Sequence, residues 1–264
     1  MKIAIIGGGV MGEAILSATL DAGLLNAADV TVCEVVEARR DALAAAYGVA
    51  VTAEAGPCLG EAGVAILSIK PQDLHSVRGT LPAAALLISI MAGVRIATLQ
   101  QELAHDRIVR VMPNTPVAVK AGMSVWTATP SVSPGQREFT QRLLSAIGRE
   151  IYVDDEKKLD MATAVSGSGP GYVFLFIEAM IVGAVTIGLT RSQATEMVLQ
   201  TVYGSALYAQ ESGKPAAELR GMVTSPAGTT AAGLFELEKA SVRAAIIESI
   251  KAAHRRAIEL GGPA

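Results

Sequence analysis

The 264-residue chain carries 22 Lys and Arg against 25 Asp and Glu, which gives a formal net charge of −3. This balance lacks the basic excess that nucleic-acid binding needs, so we expect no nucleic-acid partner. Hydrophobic residues make up 51% of the chain and aromatic residues only 4%. The core is therefore expected to be aliphatic, as in parallel sheets and packed helices.

No segment is predicted to span a membrane or to direct secretion. The longest apolar stretch, 172–189, is interrupted by Glu178, Gly183 and Thr186, whereas a spanning helix needs about 20 apolar residues. The apolar run at the N-terminus is too short for a signal peptide. Cys33 and Cys58 have no metal-ligand spacing, so we expect no metal site and two reduced thiols in a cytoplasmic protein.

The first half of the chain alternates two patterns, in which short β-branched runs predict strands and Ala-rich stretches predict helices. The predicted strands cover 2–6, 30–33, 64–69, 86–90 and 108–112, with helices over 11–25 and 35–47 and helical segments between the later strands. A strand near 124–128, a helix over 134–147 and a strand over 150–153 follow. This alternation predicts a Rossmann-type α/β fold, a doubly wound parallel sheet with helices on both faces.

The charged stretch 154–158 predicts a boundary between a dinucleotide-binding domain, 1–156, and an all-α domain, 157–264. The predicted helices beyond it cover 159–189 (with a break at 166–171), 191–211, 216–223, 229–239 and 242–260, and Thr190 is expected to cap the second of them. Apolar residues occupy nearly every face of 159–189, so this helix needs burial all round. We therefore expect a second copy to cover it, in a homodimer.

A glycine-rich turn follows the first predicted strand and opens the first helix. Gly7, Gly9 and Gly12 match the G-x-G-x-x-G pattern of dinucleotide-binding proteins. In that pattern the first glycine allows a tight turn, the second lets a pyrophosphate approach, and the third lets helix and strand pack closely. The helix N-terminus attracts the pyrophosphate charge.

The residues after the second strand leave the choice of cofactor open. Glu34 ends that strand, 22 residues after Gly12, where an acid normally binds the adenosine ribose and favours NAD. Arg39 and Arg40 lie about one turn into the next helix. Either arginine is placed to hold the 2′-phosphate of NADP instead.

Other candidate groups end strands or begin helices. Lys70 and Pro71 follow one strand and Asn114 follows another, and carboxyl ends of parallel strands face the ligand crevice. The segments 166–170 and 224–230 combine glycines with hydroxyls at helix starts, where backbone N–H groups favour a carboxylate. None of the three histidines lies in a patterned motif, so the chemistry is expected to proceed without a histidine acid.

Six segments of the chain resemble those of the pyrroline-5-carboxylate reductases. In chain order they are IIGGGVMGEAI, LSIKPQDL, MAGVRIATL, RVMPNTP, AVSGSGPGYVF and VTSPAGTTAAGLFELE. The resemblance covers nearly the whole chain, and the last two segments are highly specific. It implies an NAD(P)H-dependent imine reductase that converts 1-pyrroline-5-carboxylate to L-proline, the last step of proline biosynthesis. It also implies an all-α dimerisation domain, active sites shared between subunits, and dimers that often assemble into decamers. NADPH is the favoured cofactor and NADH the alternative.

The resemblance also assigns residues. It places the cofactor phosphates on Gly7, Gly9, Val10, Met11 and Gly12, and the nicotinamide side of the cofactor near Lys70, Pro71 and Asn114. It places the substrate carboxylate on Ser225, Gly228, Thr229 and Thr230. Thr230 is expected to hydrogen-bond the ring nitrogen, with Glu211 near it, so the expected catalytic set is Thr230, Ser225, Lys70 and Glu211. The chain departs from the family pattern at Ala55, where many relatives carry Asn, and at Ala227, where Gly is commoner.

Two alternatives remain on sequence grounds. Dehydrogenases of the 3-hydroxyacid type also open with a similar glycine motif, but they use a lysine within the long helix, and 159–189 contains none. A non-catalytic redox sensor would bind the cofactor without turning over an imine. The complete substrate loop at 224–230 argues against that second alternative.

Overall fold

One eight-stranded sheet forms the framework of the computed structural model, which describes residues 1–262. Its strands are β1 Ile3–Ile6, β2 Val30–Cys33, β3 Ala50–Thr52, β4 Val64–Leu67, β5 Leu86–Ser89, β6 Ile108–Met112, β7 Gly122–Ala128 and β8 Gly148–Tyr152. Their order is β3-β2-β1-β4-β5-β6-β7-β8. The first six strands follow the doubly wound order of dinucleotide-binding folds.

Eleven α-helices lie in the described part of the chain. They are α1 Val10–Asp21, α2 Glu37–Tyr47, α3 Ala55–Glu61, α4 Ile96–Leu103, α5 Pro134–Ala146, α6 Lys157–Ala162, α7 Gly169–Thr186, α8 Arg191–Ser212, α9 Ala216–Met222, α10 Thr229–Lys239 and α11 Val242–Leu260. A π-helical turn, Thr163–Gly167, joins α6 to α7, which is the predicted break in the long helix. Thr190 caps α8 as predicted, in a capping box with Gln193.

The sheet carries two apolar layers. Residues that alternate along the strands, such as Ile5 and Ile66, pack into one layer, and their neighbours Ile6 and Leu67 pack into the other. Burial of both faces explains why these strands consist of continuous apolar runs.

Two details of the predicted sheet region are wrong, and the predicted helical segment between β4 and β5 is short. The sheet is not wholly parallel, because β7 runs antiparallel to β6. The short strand β3 is absent from the prediction, since its three residues are not fully buried and form no apolar run. Between β4 and β5 the only helical element among the described residues is a 3₁₀ helix, Pro71–Ser76, which begins at a proline.

The chain divides into two compact units. Unit 1 contains Met1–Ser168 together with residues 253–262, and unit 2 is Gly169–Ala252. Helix α6 belongs to unit 1 because Leu159 and Ala162 pack against Val125 of β7. The compact units therefore divide the chain later than the predicted domain boundary at 156/157, which stays a prediction about domains.

Unit 2 leaves much apolar surface open. No residue of α7 is buried, and Phe174, Leu175, Tyr203 and Phe235 are each more than 60% exposed. The continuous stretch Lys157–Thr186 is long and apolar enough, by length and composition alone, to cross a membrane. The stretch is longer than the predicted 172–189 because α6, the π-helical turn and α7 are continuous. Core helices of soluble proteins pass the same test of length and composition, so the absence of a membrane span stays a prediction.

Candidate functional site

A cleft of about 340 Å³ opens at the carboxyl edge of the sheet in unit 1. Strands β1, β4, β5 and β6 all end at this cleft. The cleft is lined by Gly9, Val10, Met11, Ser68, Ile69, Lys70, Pro71, Ile90, Met91, Ala92, Met112 and Pro113. Ligands of open α/β sheets bind at this edge.

Each glycine of the predicted motif has a distinct surrounding. Gly7 has φ +100°, and an added Cβ would overlap the Ser68 carbonyl group. An added Cβ on Gly12 would overlap the Gly7 carbonyl oxygen, so both positions exclude a larger residue. Gly9 has nothing within 4 Å of an added Cβ. Its backbone is therefore open to a ligand, as the pattern predicts for the second glycine.

The helix after this turn also fits a phosphate group. Gly9 is the N-cap residue of α1 and has no side chain to satisfy the free N–H groups of the first turn. The Ser68 hydroxyl is buried beside this turn and has no hydrogen-bond partner among the described residues. Free N–H groups, an open glycine and an unpartnered hydroxyl together fit the pyrophosphate of a dinucleotide. Sequence reasoning missed Ser68, although its position at the end of β4 is a signal.

Glu34 holds the glycine turn in place. One carboxylate oxygen, Oε2, accepts the Gly8 N–H at 2.9 Å, and the other, Oε1, accepts the Val36 N–H at 2.9 Å. If Glu34 also bound a ribose, as predicted, its carboxylate would do so while both oxygens accept backbone N–H groups.

The two predicted arginines also have partners within the chain. Arg39 donates from Nε to the Gly8 carbonyl at 2.9 Å and forms an ion pair with Glu13. That ion pair, with the Tyr47 hydroxyl bonded to the same carboxylate, holds the pKa of Glu13 below its usual value. Arg40 donates from Nη1 to the carbonyls of Glu34 and Val35, and its Nη2 and Nε make no hydrogen bond within residues 1–262.

The predicted groups at the strand ends differ in whether their side chains already have hydrogen-bond partners within the chain. Lys70 and Pro71 line the cleft, and the Lys70 side chain is exposed. Asn114 is half-buried and does not line the cleft. Its amide donates to the Ser166 carbonyl at 3.1 Å and accepts the Met123 N–H at 2.8 Å, so it ties the π-helical turn to β7.

The predicted substrate loop lies in unit 2 and ends at the start of α10. Gly228 is the N-cap residue and provides no side-chain cap, so the N–H groups of Thr229 and Thr230 remain free for an anion. An added Cβ on Gly228 would overlap the Ser225 hydroxyl. The neighbouring Ala227 has φ +55°, a conformation that favours glycine.

Glu211 forms no hydrogen bond with this loop among the described residues. It is exposed in the last turn of α8, and it makes no hydrogen bond or ion pair in the part of the chain that the structure describes. Its predicted role near a substrate nitrogen stays a prediction.

Two family models match the chain. The model described as pyrroline-5-carboxylate reductase dimerisation matches residues 156–260. The model described as NADP oxidoreductase, coenzyme F420-dependent, matches residues 2–93, which contain the glycine turn and Lys70.

Relatives match over the full length. A pyrroline-5-carboxylate reductase from Synechocystis is 42% identical, and the match covers 99% of this chain and 98% of the relative. One from Arabidopsis thaliana is 37% identical, and the match covers 98% of this chain and 95% of the relative. The solved reductase from Coxiella burnetii has a TM-score of 0.89, 33% identity and 99% coverage of both chains. That from Plasmodium falciparum, solved with NADP bound, has a TM-score of 0.88, 28% identity and coverage of 99% and 98%. The chain belongs to the pyrroline-5-carboxylate reductase family.

Proposed function

We propose that this chain is an NAD(P)H-dependent reductase that converts 1-pyrroline-5-carboxylate to L-proline. The observation that carries the proposal is 42% identity over 99% of the chain to a reductase of that name. The glycine turn and the cleft beside it fit the dinucleotide site that this reaction needs. The 3-hydroxyacid and sensor alternatives lose support, because the relatives match through the whole of unit 2.

The cofactor is proposed to bind along the cleft of unit 1. Its phosphates would lie on Gly7, Gly9 and Gly12, with Val10 and Met11 beside them. Lys70 and Pro71 would lie near the nicotinamide, and Asn114 would position that edge through its bonds to Ser166 and Met123. Bound NAD(P)H supplies the hydride.

The substrate carboxylate is proposed to bind the loop of unit 2. The free N–H groups of Thr229 and Thr230 and the Ser225 hydroxyl offer donors for an anion at a helix N-terminus. A cyclic imine protonated at nitrogen has an electrophilic carbon, so the protein mainly needs to orient it. Orientation of two reactants contributes about 7–11 kcal/mol to a reaction of this kind.

Replacing Thr230 by Ala is expected to lower kcat/KM for the imine about 10- to 100-fold, because a hydrogen bond to a charged group is lost. The dissociation constant for NADPH should stay near the wild-type value, since Thr230 lies in unit 2. Thr195→Ala is a matched control, because that hydroxyl donates only to Arg191 within its own helix. A collapse of NADPH affinity in Thr230→Ala would contradict the assignment of the two units.

The direct test mixes purified protein with 1-pyrroline-5-carboxylate and follows loss of nicotinamide absorbance, with NADPH and NADH in parallel. Oxidation of either cofactor with formation of proline supports the proposal. Bound cofactor without oxidation would contradict it and would favour the sensor alternative.

We further propose that NADPH is preferred over NADH. Arg40 keeps Nη2 and Nε free of partners among the described residues, at the edge where a 2′-phosphate would lie. Arg40→Met is expected to raise the dissociation constant for NADPH about tenfold. The constant for NADH, measured by titration of the same variant, should change little. Equal changes for both cofactors would contradict a 2′-phosphate contact.

The assembly is proposed to be a homodimer, with a decamer of five dimers as the larger form. The exposed apolar side chains of α7, α8 and α10 need a cover, and the family model over 156–260 is named for dimerisation. We propose that a second copy, rather than a membrane, covers α7 and that the protein is cytoplasmic. Light scattering at nanomolar concentration should give the mass of two or ten chains, and a monomer would contradict the dimer.

A further inference from the structure

The loop that follows β5 forms one wall of the cleft in unit 1. Ile90, Met91 and Ala92 line the cleft there. In the sheet, β4 separates β5 from β1, so this loop lies on the far side of Lys70 and Pro71 from the glycine turn. Because the cofactor phosphates are proposed to lie on the glycine turn and the nicotinamide near Lys70, the loop borders the nicotinamide end of the proposed cofactor site.

The loop has few hydrogen bonds of its own. Among residues 1–262, the backbone of residues 92–94 makes no hydrogen bond to other backbone groups. The loop is held at its start, where the Ser89 hydroxyl accepts the Met91 N–H at 3.4 Å. From below it is held by Met91 and Val94, which pack in one apolar layer of the sheet. Its position therefore also depends on the contacts made at its far end.

Arg95 forms those contacts at the far end of the loop. Its Nε donates to the Gly261 carbonyl at 3.1 Å, and its Nη2 donates to the Gly262 carbonyl at 3.1 Å. Both carbonyls follow the last residue of α11, where a helix leaves C=O groups without partners and its dipole favours a cation. The planar guanidinium group suits two neighbouring acceptors, which the single ammonium group of a lysine does not.

The segment 260–262 also packs closely against the loop. Gly93 has φ +75°, and an added Cβ would lie 3.4 Å from Leu260. An added Cβ on Gly261 would lie 3.2 Å from the Arg95 Nε and 3.4 Å from the Gly93 carbonyl oxygen. The loop and residues 253–262 belong to the same compact unit. The end of α11 is therefore placed to fix the position of the loop.

We propose that Arg95 and the segment 260–262 hold the loop 90–94 in the position that shapes the nicotinamide end of the cleft. Arg95 is then a positioning residue for hydride transfer. It acts through the loop, since it is not one of the described residues that line the cleft. The proposal rests on the proposed position of the cofactor. A displaced loop would leave the phosphate site intact and misplace the nicotinamide, and a misplacement of about 1 Å costs up to about 100-fold in rate.

The first test measures the binding of two ligands to Arg95→Met. They are NADPH and 2′-phospho-ADP-ribose, which lacks only the nicotinamide. The dissociation constant for NADPH should rise about 3- to 10-fold, as for the loss of one hydrogen bond. The constant for 2′-phospho-ADP-ribose should stay within about twofold of wild type, because the phosphate site is unchanged. Equal weakening of both ligands would overturn the proposal, because it would show a general loss of structure.

Turnover gives a second readout for the same substitution. With 1-pyrroline-5-carboxylate and saturating NADPH, kcat of Arg95→Met should fall about tenfold or more, because the nicotinamide is misplaced. Arg95→Lys should lie between Arg95→Met and wild type, since lysine keeps the charge but not the paired donors. An unchanged kcat in Arg95→Met would overturn the positioning role.

Arg137→Met is the matched control. Arg137 is also half-buried, and its Nη2 donates to the carbonyl of another segment, at Thr129, over 3.2 Å. Neither of these two residues lines the cleft. The control should keep kcat and both dissociation constants near the wild-type values. A loss of kcat in Arg137→Met as large as that in Arg95→Met would overturn the proposal.

Removing residues 261–264 tests the other half of the contact, because it deletes both acceptor carbonyls. The shortened protein should show the same changes as Arg95→Met, and combining the two should add little, since both remove the same interaction. An unchanged shortened protein would overturn the proposal, because Arg95 would then act without this segment. If wild type binds NADPH but does not reduce the imine, the proposed function fails, and the comparison of the two ligands still decides the role of Arg95. If wild type binds neither ligand, both proposals fail.

Discussion

Replacing Gly12 by Ala is expected to abolish dinucleotide binding and to lower the free energy of unfolding by about 1–3 kcal/mol, the usual cost of overpacking. The added methyl group would overlap the Gly7 carbonyl oxygen and lie 3.0 Å from the Ser68 hydroxyl. Both neighbours belong to the turn and the strand end that form the proposed phosphate site. The turn must therefore move away from α1, and the N–H groups that face the cleft move with it.

The matched variant is Gly9→Ala, which separates folding from binding. Gly9 has ordinary extended backbone angles, and an added Cβ meets nothing within 4 Å. Its free energy of unfolding should stay within about 1 kcal/mol of wild type. Its dissociation constant for NADPH should nevertheless rise about tenfold or more, because the methyl group occupies the path of the pyrophosphate. Denaturant titration and cofactor titration of both variants provide the measurement, and wild-type affinity in Gly9→Ala would contradict the proposed phosphate site.

Replacing Arg110 by Met is expected to lower the free energy of unfolding by about 3–5 kcal/mol, because breaking a buried ion pair leaves charges without a partner. Arg110 extends from β6, and its side chain is 4% exposed. It bonds Glu156 at 2.8 Å and Asp160 at 3.4 Å. Glu156 also accepts the Ile96 N–H at 2.8 Å, so this one cluster joins the starts of α4 and α6 to the sheet.

Denaturant unfolding at fixed protein concentration measures the effect of Arg110→Met. The control is Lys158→Met in α6, the helix that carries Asp160; it breaks an ion pair with Asp154 at the surface and should cost about 0–1 kcal/mol. In a double-mutant cycle, Arg110→Met combined with Asp160→Asn should lower the free energy of unfolding by less than the sum of the two single effects, because both substitutions remove the same interaction. A loss below about 1 kcal/mol for Arg110→Met would show that the cluster contributes little to stability.

Local pattern was enough to find the elements on which the site depends. The buried runs of β1, β2 and β6 and the three glycines of the turn are visible in the sequence because each signal lies within a dozen residues. The same holds for the start of α10, whose Gly228 and threonines are adjacent in the chain. Such signals can be recognised without tertiary information, because the periodicity of hydrophobic residues and the conformational freedom of glycine are properties of short segments.

Pairings between distant residues were not predictable in this way. The antiparallel direction of β7 depends on its hydrogen bonds to β6, and no local pattern specifies which strands pair. Sequence reasoning left Arg39 and Arg40 as alternative holders of a 2′-phosphate, and it gave no sign that Arg39 forms an ion pair with Glu13.

The sequence by itself therefore determined the α/β character of the first half, the helical character of the second, the glycine turn and the family of the protein. Only the tertiary structure decided which charged side chains remain free for a ligand. Arg39 and Glu34 are both occupied by the glycine turn, while Lys70 remains exposed in the cleft. The physical reason is that a charged side chain bonds to the groups that tertiary packing places next to it, and those groups can be distant in the sequence.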